Sequence, residues 1–376
     1  MMHMFRYFYK GLLSDRNRTI LCLLAVGAAV TIVLVLEGFQ SGLWRQVRSY
    51  REQWPAQLVV MPEGASALGF ARVGLSGDVA QKVAAMPDVD AVHPLVGAPT
   101  ILVMGERRSP VTVIGYGTAG GPPRFKKGAG VTASGQVVVD YALAKDFGLN
   151  IGDTLPLYGR DFLIVGLSAG TASMFGSYVF ISLADAYALL SVAAHEGGAG
   201  AAPSYLLVQT APDARPHDVQ AAIGRTVPGV VVQTPAEFAG KAVDLAKGIM
   251  GSIMSVLVIA AYVAGVMIIG MTLHATVAER TREHGIIKAL GARNGRLYQL
   301  VFGYALLFTA AGFFVGVLAA FGISELLRIL QPQYTLVVWD GDVLLRAGLA
   351  ALVMAAIAAL LPARQMQNVE PGMVFR

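Results

Sequence analysis

Four long stretches of the chain are almost entirely apolar, and segments rich in charged and turn-forming residues separate them. They cover about residues 19–36, 249–273, 297–321 and 343–361. A helix needs roughly 20 consecutive apolar residues to cross the hydrocarbon layer of a bilayer. The first stretch could instead be a cleaved signal peptide, but it is too long and no small-x-small cleavage pattern follows Glu37. The pattern therefore predicts four transmembrane helices.

A different pattern fills the segment between the first two stretches. Short runs of β-branched and aromatic residues, broken by Gly, Pro and Asp, lie at residues 57–61, 111–115, 136–140, 162–166, 178–181 and 204–209. Helical periodicity interrupts them near residues 76–86, 141–147, 183–190 and 217–226. These elements predict an α+β domain whose ends lie near Pro55 and Pro235.

Basic residues near the ends of the spans predict the orientation of the protein. They cluster before the first span and between the second and third, at Arg6, Lys10, Arg16, Arg18, Arg280, Arg282, Lys288, Arg293 and Arg296. Cytoplasmic flanks of membrane proteins carry an excess of Lys and Arg. We therefore expect a multi-pass protein of the bacterial inner membrane, with both termini in the cytoplasm and the α+β domain periplasmic or extracellular. The predicted parts are a cytoplasmic segment (1–18), transmembrane helix 1 (19–44), the extracytoplasmic domain (45–238), a stalk with transmembrane helix 2 (239–275), a cytoplasmic coupling loop (276–296), transmembrane helix 3 (297–322), an outer loop (323–342), transmembrane helix 4 (343–362) and a cytoplasmic tail (363–376).

The composition supports a membrane protein. Hydrophobic residues make up 55% of the 376 residues and charged residues only 14%, with a mean hydropathy of +0.59. Soluble domains have about one quarter charged residues. The net charge is +5, but no polybasic run is present, so nucleic-acid binding is not expected. The single cysteine, Cys22, excludes an internal disulfide and a cysteine-based metal site.

Motifs of catalysis are missing from the sequence. No Gly-x-x-x-x-Gly-Lys-Ser/Thr motif is present, so the chain cannot cradle a nucleotide as P-loop proteins do. His-Glu-x-x-His and Gly-x-Ser-x-Gly are absent too, and the six histidines have no metal-ligand spacing. We therefore predict a chain that is not an enzyme and holds neither metal nor cofactor.

The predicted spans carry almost no ionisable residues. Glu37, at the outer end of the first span, and His274, near the inner end of the second, are the closest to being exceptions. Carboxylates inside a membrane are costly and often functional, so Glu37 could bind a polar group of an amphipathic ligand. The alternative is a hydrated carboxylate at the level of the lipid headgroups. If Glu37 binds a ligand, the predicted substrate residues are Glu37 and Phe39, with Met250, Met254 and Val258 at i, i+4 spacing on the second span.

The loop after the second span has the pattern of a short amphipathic helix. Charged residues come first, Ile286, Ile287 and Leu290 then form an apolar edge at helical spacing, and Gly291 is a plausible C-terminal stop. A helix lying on the lipid surface would show the same pattern.

This loop resembles a known family. The run Glu279-Arg-x-x-Glu-x-Gly-Ile-Ile-Lys-Ala-Leu-Gly-Ala292 is similar to the cytoplasmic signature of FtsX/MacB/LolC-type ABC transporter permeases, although His284 departs from the Ile or Leu of many members. Segments 137–144, 148–154 and 162–166 are similar to the MacB-like periplasmic domain, and the tail from Leu361 to Pro371 to the family's C-terminus. Four spans without a fused nucleotide-binding domain match the stand-alone permeases, with a layout like that of DevC and HrtB.

The resemblance implies a function and a set of partners. The chain would be the homodimeric permease subunit of an ABC transporter that binds two copies of a separate ATPase holding ATP and Mg²⁺. Coupling to that ATPase would involve Glu279, Arg280, Arg282, Glu283, Gly285, Ile286, Ile287, Lys288, Leu290 and Gly291. Mechanotransmission would then drive efflux or extraction of an amphipathic substrate, in contact with membrane lipid and with a possible periplasmic partner. An FtsX-like subunit that regulates a periplasmic hydrolase without transport is the alternative, and a membrane-anchored scaffold is a third.

Small residues recur at four-residue spacing in the last two spans. Gly312 and Gly316 form a Gly-x-x-x-Gly motif, and Ala347, Ala351, Ala355 and Ala359 form a second series. Such residues let helices approach closely. Packing within one protomer is favoured over packing across a dimer.

Overall fold

The computed structural model describes residues 16–65, 74–173, 176–195, 202–279, 286 and 294–367. Along the chain, the elements are α1 (Arg16–Glu52), β1 (Leu58–Pro62), α2 (Gly77–Ala84), β2 (Val89–Met104), β3 (Arg107–Tyr116), β4 (Phe125–Gly128), β5 (Gln136–Asp140), α3 (Tyr141–Phe147), β6 (Thr154–Leu157), β7 (Arg160–Ser168), β8 (Ala172–Ser173), β9 (Gly176–Ser182), α4 (Leu183–His195), β10 (Tyr205–Thr210), α5 (Pro216–Thr226), β11 (Val230–Gln233), α6 (Pro235–Glu279), α7 (Asn294–Leu330) and α8 (Gly341–Gln367). They divide into two compact units. The helical unit comprises residues 1–42, 252–330 and 335–376, and the sheet unit comprises residues 43–251 and 331–334.

Four helices are long and apolar enough to cross a membrane, which confirms the four predicted spans. They are α1, α6, α7 and α8, with mean hydropathies of 2.8, 2.5, 2.3 and 2.3 over their most apolar windows. The helices α1 and α6 continue beyond the apolar stretches, and their outer portions belong to the sheet unit. These portions carry their own buried faces, because Val47 and Tyr50 on α1 and Phe238 and Ala242 on α6 share one apolar cluster.

Glycines allow α1 and α7 to approach closely inside the helical unit. A Cβ added at Gly312 would lie 2.6 Å from Val26 Cγ1, and one at Gly316 would lie 2.8 Å from Val30 Cγ1. On the facing helix, a Cβ at Gly27 would lie 2.8 Å from Val315 Cγ1. The Gly-x-x-x-Gly motif of the third span therefore packs within the protomer, as predicted.

The alanine series of α8 is also buried inside the protomer. Ala347, Ala351, Ala355 and Ala359 are at most 4% exposed, and α8 packs chiefly against α7. A Cβ added at Gly265 of α6 would lie 2.6 Å from Met354 Sδ, so α6 also approaches α8 closely. Small side chains thus hold the spanning helices together.

The sheet unit is built on one 11-stranded sheet in the order β11-β1-β10-β2-β3-β9-β5-β7-β4, with β6 beside β7 and β8 beside β9. The pairs β3–β9 and β5–β7 are parallel, and the remaining pairs of described strands are antiparallel. Alternate residues face opposite sides, since Val138 packs in one apolar cluster while Val137 and Val139 pack in another. The α+β fold expected between the first two spans is confirmed.

Candidate functional site

A buried carboxylate lies among the spanning helices. Glu37 of α1 is only 6% exposed. The hydroxyl of Tyr262 on α6 donates a hydrogen bond to Glu37 Oε1 at 2.5 Å. The guanidinium of Arg346 on α8 lies on the other side, with Nε 3.7 Å from Glu37 Oε2. Three helices therefore meet at one charged group, and we call Glu37, Tyr262 and Arg346 the charged cluster.

Arg346 connects the charged cluster to the surface of the helical unit. Its side chain is 54% exposed, and Nη2 donates a hydrogen bond to Ser41 Oγ at 3.0 Å. Ser41 lies one helical turn beyond Glu37 on α1, so one arginine contacts two successive turns of the same helix. The long apolar stem of arginine permits this position at the end of a span.

The loop between α7 and α8 packs against the same part of α1. The amide of Val337 donates to the carbonyl of Gly38 at 3.1 Å. A Cβ added at Gly38 would lie 2.8 Å from Val337 O, and one added at Gly42 only 1.7 Å from Thr335 O. Glycine is therefore required at both positions, and the backbone of the loop sits directly on the helix beside Glu37.

The electrostatics of the charged cluster follow from its burial. A carboxylate removed from water is strongly destabilised unless hydrogen bonds and an opposite charge compensate it. Tyr262 supplies the hydrogen bond and Arg346 the charge. Within the helical unit Glu37 is therefore a buried carboxylate with two partners, and both interpretations of its role stay predictions. Its carboxylate can exchange partners, but only with a group that replaces what Arg346 or Tyr262 provides.

The other predicted substrate residues occupy different environments. Phe39 is half-buried against the core of the helical unit, Met254 is 7% exposed, and Val258 is half-buried. Met250 is half-buried and belongs to the sheet unit. The series 250, 254, 258 continues at the same spacing to residue 262, so the predicted face of α6 leads to the tyrosine that binds Glu37.

Sequence reasoning missed two members of the charged cluster. The statement that Glu37 and His274 are the nearest ionisable residues in the spans is wrong, because Arg346 lies inside the predicted fourth span. A signal was present, since the outer ends of spans one and four lie on the same side under the predicted topology. Tyr262 could have been found by extending the i, i+4 series by one turn. His274 itself is exposed.

The residues predicted to couple to an ATPase lie mostly outside the described part of the chain. Glu279 is the last residue of α6, and Ile286 is described as a helical residue that is 45% exposed. The other members, Arg280, Arg282, Glu283, Gly285, Ile287, Lys288, Leu290 and Gly291, lie outside the described residues.

A second buried carboxylate, in the sheet unit, has a structural role. Asp140 caps α3 by accepting a hydrogen bond from the Ala142 amide at 2.7 Å, and it also accepts from the Thr171 amide and hydroxyl at 3.0 and 2.6 Å. Burial raises the pKa of its carboxyl, although these hydrogen bonds act in the opposite direction. Asp140 therefore caps α3 and ties its start to the segment after β7. Among the residues that the structure describes, no group of three or more His, Cys, Asp or Glu side chains could hold a metal ion.

Comparison with known families gives two matches along the chain. Residues 19–226 match the MacB-like periplasmic core domain, and residues 255–371 match the FtsX-like permease C-terminal domain. The first match alone covers just over half of the 376 residues. Together the matches include most of α1, β1 to β10, the membrane-spanning part of α6, and α7 and α8.

Similar proteins include permeases of matching length. An uncharacterized ABC transporter permease of Mycobacterium tuberculosis is 22% identical over 370 residues, which is 96% of each chain. Another, from Mycobacterium bovis, is 24% identical over 374 residues, again 96% of each chain. The macrolide export ATP-binding/permease protein MacB of Agrobacterium fabrum is 29% identical over 119 residues, covering 32% of this chain and 18% of that protein.

Two solved structures are similar to about half of this chain. The periplasmic region of MacB from Actinobacillus actinomycetemcomitans covers 50% of this chain and 92% of its own, with 13% identity and a TM-score of 0.34. The extracellular domain of the ABC-type transporter YknZ from Gram-positive bacteria covers 48% and 99%, with 12% identity and a TM-score of 0.35. On the family matches and the four apolar helices, the chain belongs to the FtsX/MacB-type ABC transporter permeases, as a multi-pass membrane protein with an extracellular domain.

Proposed function

We propose that the chain is the permease subunit of an ABC transporter that works by mechanotransmission. Family membership implies an ATP-binding partner subunit. In the proposed assembly, two copies of that partner hold ATP and Mg²⁺ and bind the cytoplasmic loop after α6. Their closure on ATP drives efflux or extraction of an amphipathic molecule from the outer leaflet or periplasm. Both termini of the permease are cytoplasmic in this assembly, and the sheet unit is periplasmic or extracellular.

The observation that carries this proposal is the length and continuity of α6. It runs without interruption over 45 residues. At 1.5 Å per residue this is about 68 Å, roughly twice the thickness of a hydrocarbon layer. The helix begins in the core of the sheet unit, where Phe238, Ala242 and Ala246 are fully buried, and it ends at Glu279, where the coupling run starts. One continuous helix therefore includes both residues from the core of the sheet unit and the residue at which the proposed ATPase-binding loop starts.

An unpartnered face of α6 supports a homodimer. Among the four candidate spans α6 is the least buried, with 22% of its most apolar window buried against 39% for α1. Its exposed apolar side chains are spaced by three and four residues, at Ile249, Ile253, Val256, Ala260, Val263, Met267 and Met271. The average spacing is about 3.7 residues, close to the 3.6 residues of one helical turn, so these side chains form one stripe along a face of α6. In the proposed dimer the first and second spans of the protomers face each other.

In the proposed cycle the charged cluster contacts the substrate. Phe39, Met254 and Val258 offer an adaptable apolar surface, and a polar or cationic group of the substrate competes with Arg346 for Glu37. The role of Met250 stays a prediction of the sequence. A substrate that displaced Arg346 from Glu37 would also break the hydrogen bond between α8 and Ser41, because the same guanidinium makes both contacts.

Co-purification with the cognate ATP-binding subunit tests the proposal. A buried aliphatic anchor contributes about 1.5–3 kcal/mol to an interface, so Ile286→Asp/Ile287→Asp should release the ATPase. The matched control is Ile286→Leu/Ile287→Leu, which keeps the apolar edge and should retain the partner. Normal ATPase stoichiometry and substrate-stimulated hydrolysis in the Asp variant would contradict the proposal.

Proteoliposomes that contain only the permease and its ATPase separate transport from signalling. Under the proposed function an amphipathic substrate stimulates ATP hydrolysis and leaves the membrane. If hydrolysis responds only when a periplasmic hydrolase is added, the FtsX-like role is correct and the transport role is wrong.

A further inference from the structure

A cavity of about 530 Å³ lies at the edge of the sheet unit that β4 forms, between β4, β7 and α3. Its apolar walls include Leu149, Ile151 and Leu167, and its polar groups include Lys127 and Lys145. Tyr141 also lines it. The volume falls within the range of about 300–1,000 Å³ that is typical of small-molecule sites.

The fold explains why this cavity stays open. β4 is the last strand of the sheet, and its Lys127 pairs with Leu167 of β7. Leu167 packs in the apolar cluster that α3 covers, so Lys127 lies on the face of the sheet that carries α3. The helix α3 ends at Gly148 in the left-handed conformation, with φ of 73°, and the chain turns away after it. This turn buries Leu149 but leaves Ile151 44% exposed at the rim.

The cavity carries an excess of positive charge. Lys127 and Lys145 line it, and Lys126 Nζ lies 5.5 Å from the centroid of the Tyr141 ring, which is also part of the lining. The residues that line the cavity in the described part of the chain include no carboxylate. Lysines on an edge strand also prevent unwanted strand pairing, which would account for Lys126 and Lys127 alone. It does not account for the cavity beside them, which Leu149, Ile151 and Leu167 line.

We propose that this cavity binds a small anionic amphipathic molecule. The ammonium groups of Lys127 and Lys145 hold its carboxylate, phosphate or sulfonate group, and a ring or short chain lies against Tyr141, Leu149 and Ile151. An ammonium–anion contact beside apolar walls is stronger than one in open water because water competes less. The proposal is independent of the transport role, since all of these residues lie in the sheet unit.

Photolabelling of the full-length permease in phosphatidylcholine nanodiscs tests the proposal. The probe is 4-benzoylbenzoate, and its uncharged analogue is 4-benzoylbenzamide, which has the same shape. We expect the carboxylate probe to label peptides that contain residues 127–151 and the amide to label them about tenfold less, as expected if charge-assisted contacts hold the probe. Equal labelling of this segment by the two probes would overturn the proposal.

Substitutions identify the groups that hold the anion. Lys127→Gln/Lys145→Gln should lose the labelling, whereas Lys127→Arg/Lys145→Arg should keep it. The matched control is Lys241→Gln, which removes an exposed lysine from α6 within the same unit and should change nothing. Full labelling of the Gln variant would contradict the proposal.

Two competitors distinguish a lipid headgroup from a free ligand. If phosphatidylglycerol in the nanodisc suppresses labelling of the wild-type protein, the anionic group comes from lipid. If soluble decanoate suppresses it and phosphatidylglycerol does not, the ligand is a free molecule. Suppression by neither competitor would contradict binding of an anionic amphipath.

Discussion

The helices α1 and α6 both extend from the helical unit into the sheet unit, yet the glycines of α1 and those of the first part of α6 have different surroundings. In α1 the glycines are crowded, since a Cβ at Gly42 would lie 1.7 Å from Thr335 O. In α6 a Cβ at Gly248 would meet nothing within 4 Å, and one at Gly251 would meet only Lys247 Cβ of its own helix, at 3.7 Å. Packing explains the glycines of α1 and, farther along α6, Gly265, but it does not explain Gly248 and Gly251.

The difference indicates distinct mechanical roles. A glycine in an exposed helix interior costs about 1 kcal/mol relative to alanine, because it adds conformational freedom. Gly248 and Gly251 lie where α6 passes from the sheet unit to the helical unit. Under the proposed mechanism, we interpret this as a compliant point in α6, whereas α1 is held fixed by its neighbours.

The largest expected effect comes from filling a crowded position of α1. Gly42→Ala places a methyl group against the backbone of the 335–337 loop, and overpacking of this severity should cost about 3 kcal/mol. We expect a markedly lower Tm and lower yield of the detergent-solubilised protein. Gly240→Ala is the control, because a Cβ at Gly240 meets nothing within 4 Å. An unchanged Tm for Gly42→Ala would remove the basis for calling α1 fixed.

The next effect has the opposite sign. Gly248→Ala/Gly251→Ala should raise the stability of α6 by about 1–2 kcal/mol, because alanine favours the helix and no neighbour obstructs it. If compliance of α6 is needed for coupling, substrate-stimulated ATP hydrolysis should fall while Tm rises. A higher Tm with full stimulation would show that the glycines are incidental.

A smaller effect is expected at the charged cluster that joins the two helices. Arg346→Met removes the counter-charge of Glu37 and should cost about 1 kcal/mol, a value discounted because the guanidinium is half exposed. Glu37→Gln/Arg346→Met should recover most of that loss, since no unpaired charge remains. Arg328→Met is the control, because Arg328 pairs with Glu325 in solvent and is 75% exposed.

Measured Tm values for this double-mutant cycle report the coupling energy. Equal losses for Arg346→Met and for the double variant would mean that Arg346 acts through packing and not through Glu37.

Much of the helical unit could be predicted from sequence, because its signals are local. Runs of apolar residues identify spans, and the spacing of Gly312 and Gly316 identifies a close helix contact. The partners of Glu37 are not local, since Tyr262 and Arg346 are distant in sequence and meet only after three helices pack. An arginine near the start of an apolar stretch is usually interpreted as part of the polar segment that flanks a span. The sequence therefore did not indicate Arg346 as a partner of Glu37.

The outer ends of α1 and α6 were harder to predict for a related reason. Val47 and Tyr50 lie among polar residues, so the hydropathy of this segment does not indicate a membrane span. Their burial depends on a sheet formed by strands far along the chain, and Tyr50 also donates a hydrogen bond to Gly120 O, 2.6 Å away in the loop between β3 and β4. Tertiary packing therefore extends the helix beyond the boundary that hydropathy indicates.

Cysteine cross-linking tests most directly whether the exposed face of α6 is the one that meets a second protomer. Cys22 is the single cysteine, so Cys22→Ser gives a clean background. Val256→Cys places a thiol on the exposed face of α6, and Phe314→Cys places one on α7, where the native side chains are 65% and 72% exposed. We predict that mild oxidation converts Val256→Cys to a covalent dimer in native membranes, abolishes substrate-stimulated ATP hydrolysis, and leaves Phe314→Cys monomeric and active. Cross-linking of Phe314→Cys in preference to Val256→Cys, or full stimulation in the cross-linked dimer, would contradict the account.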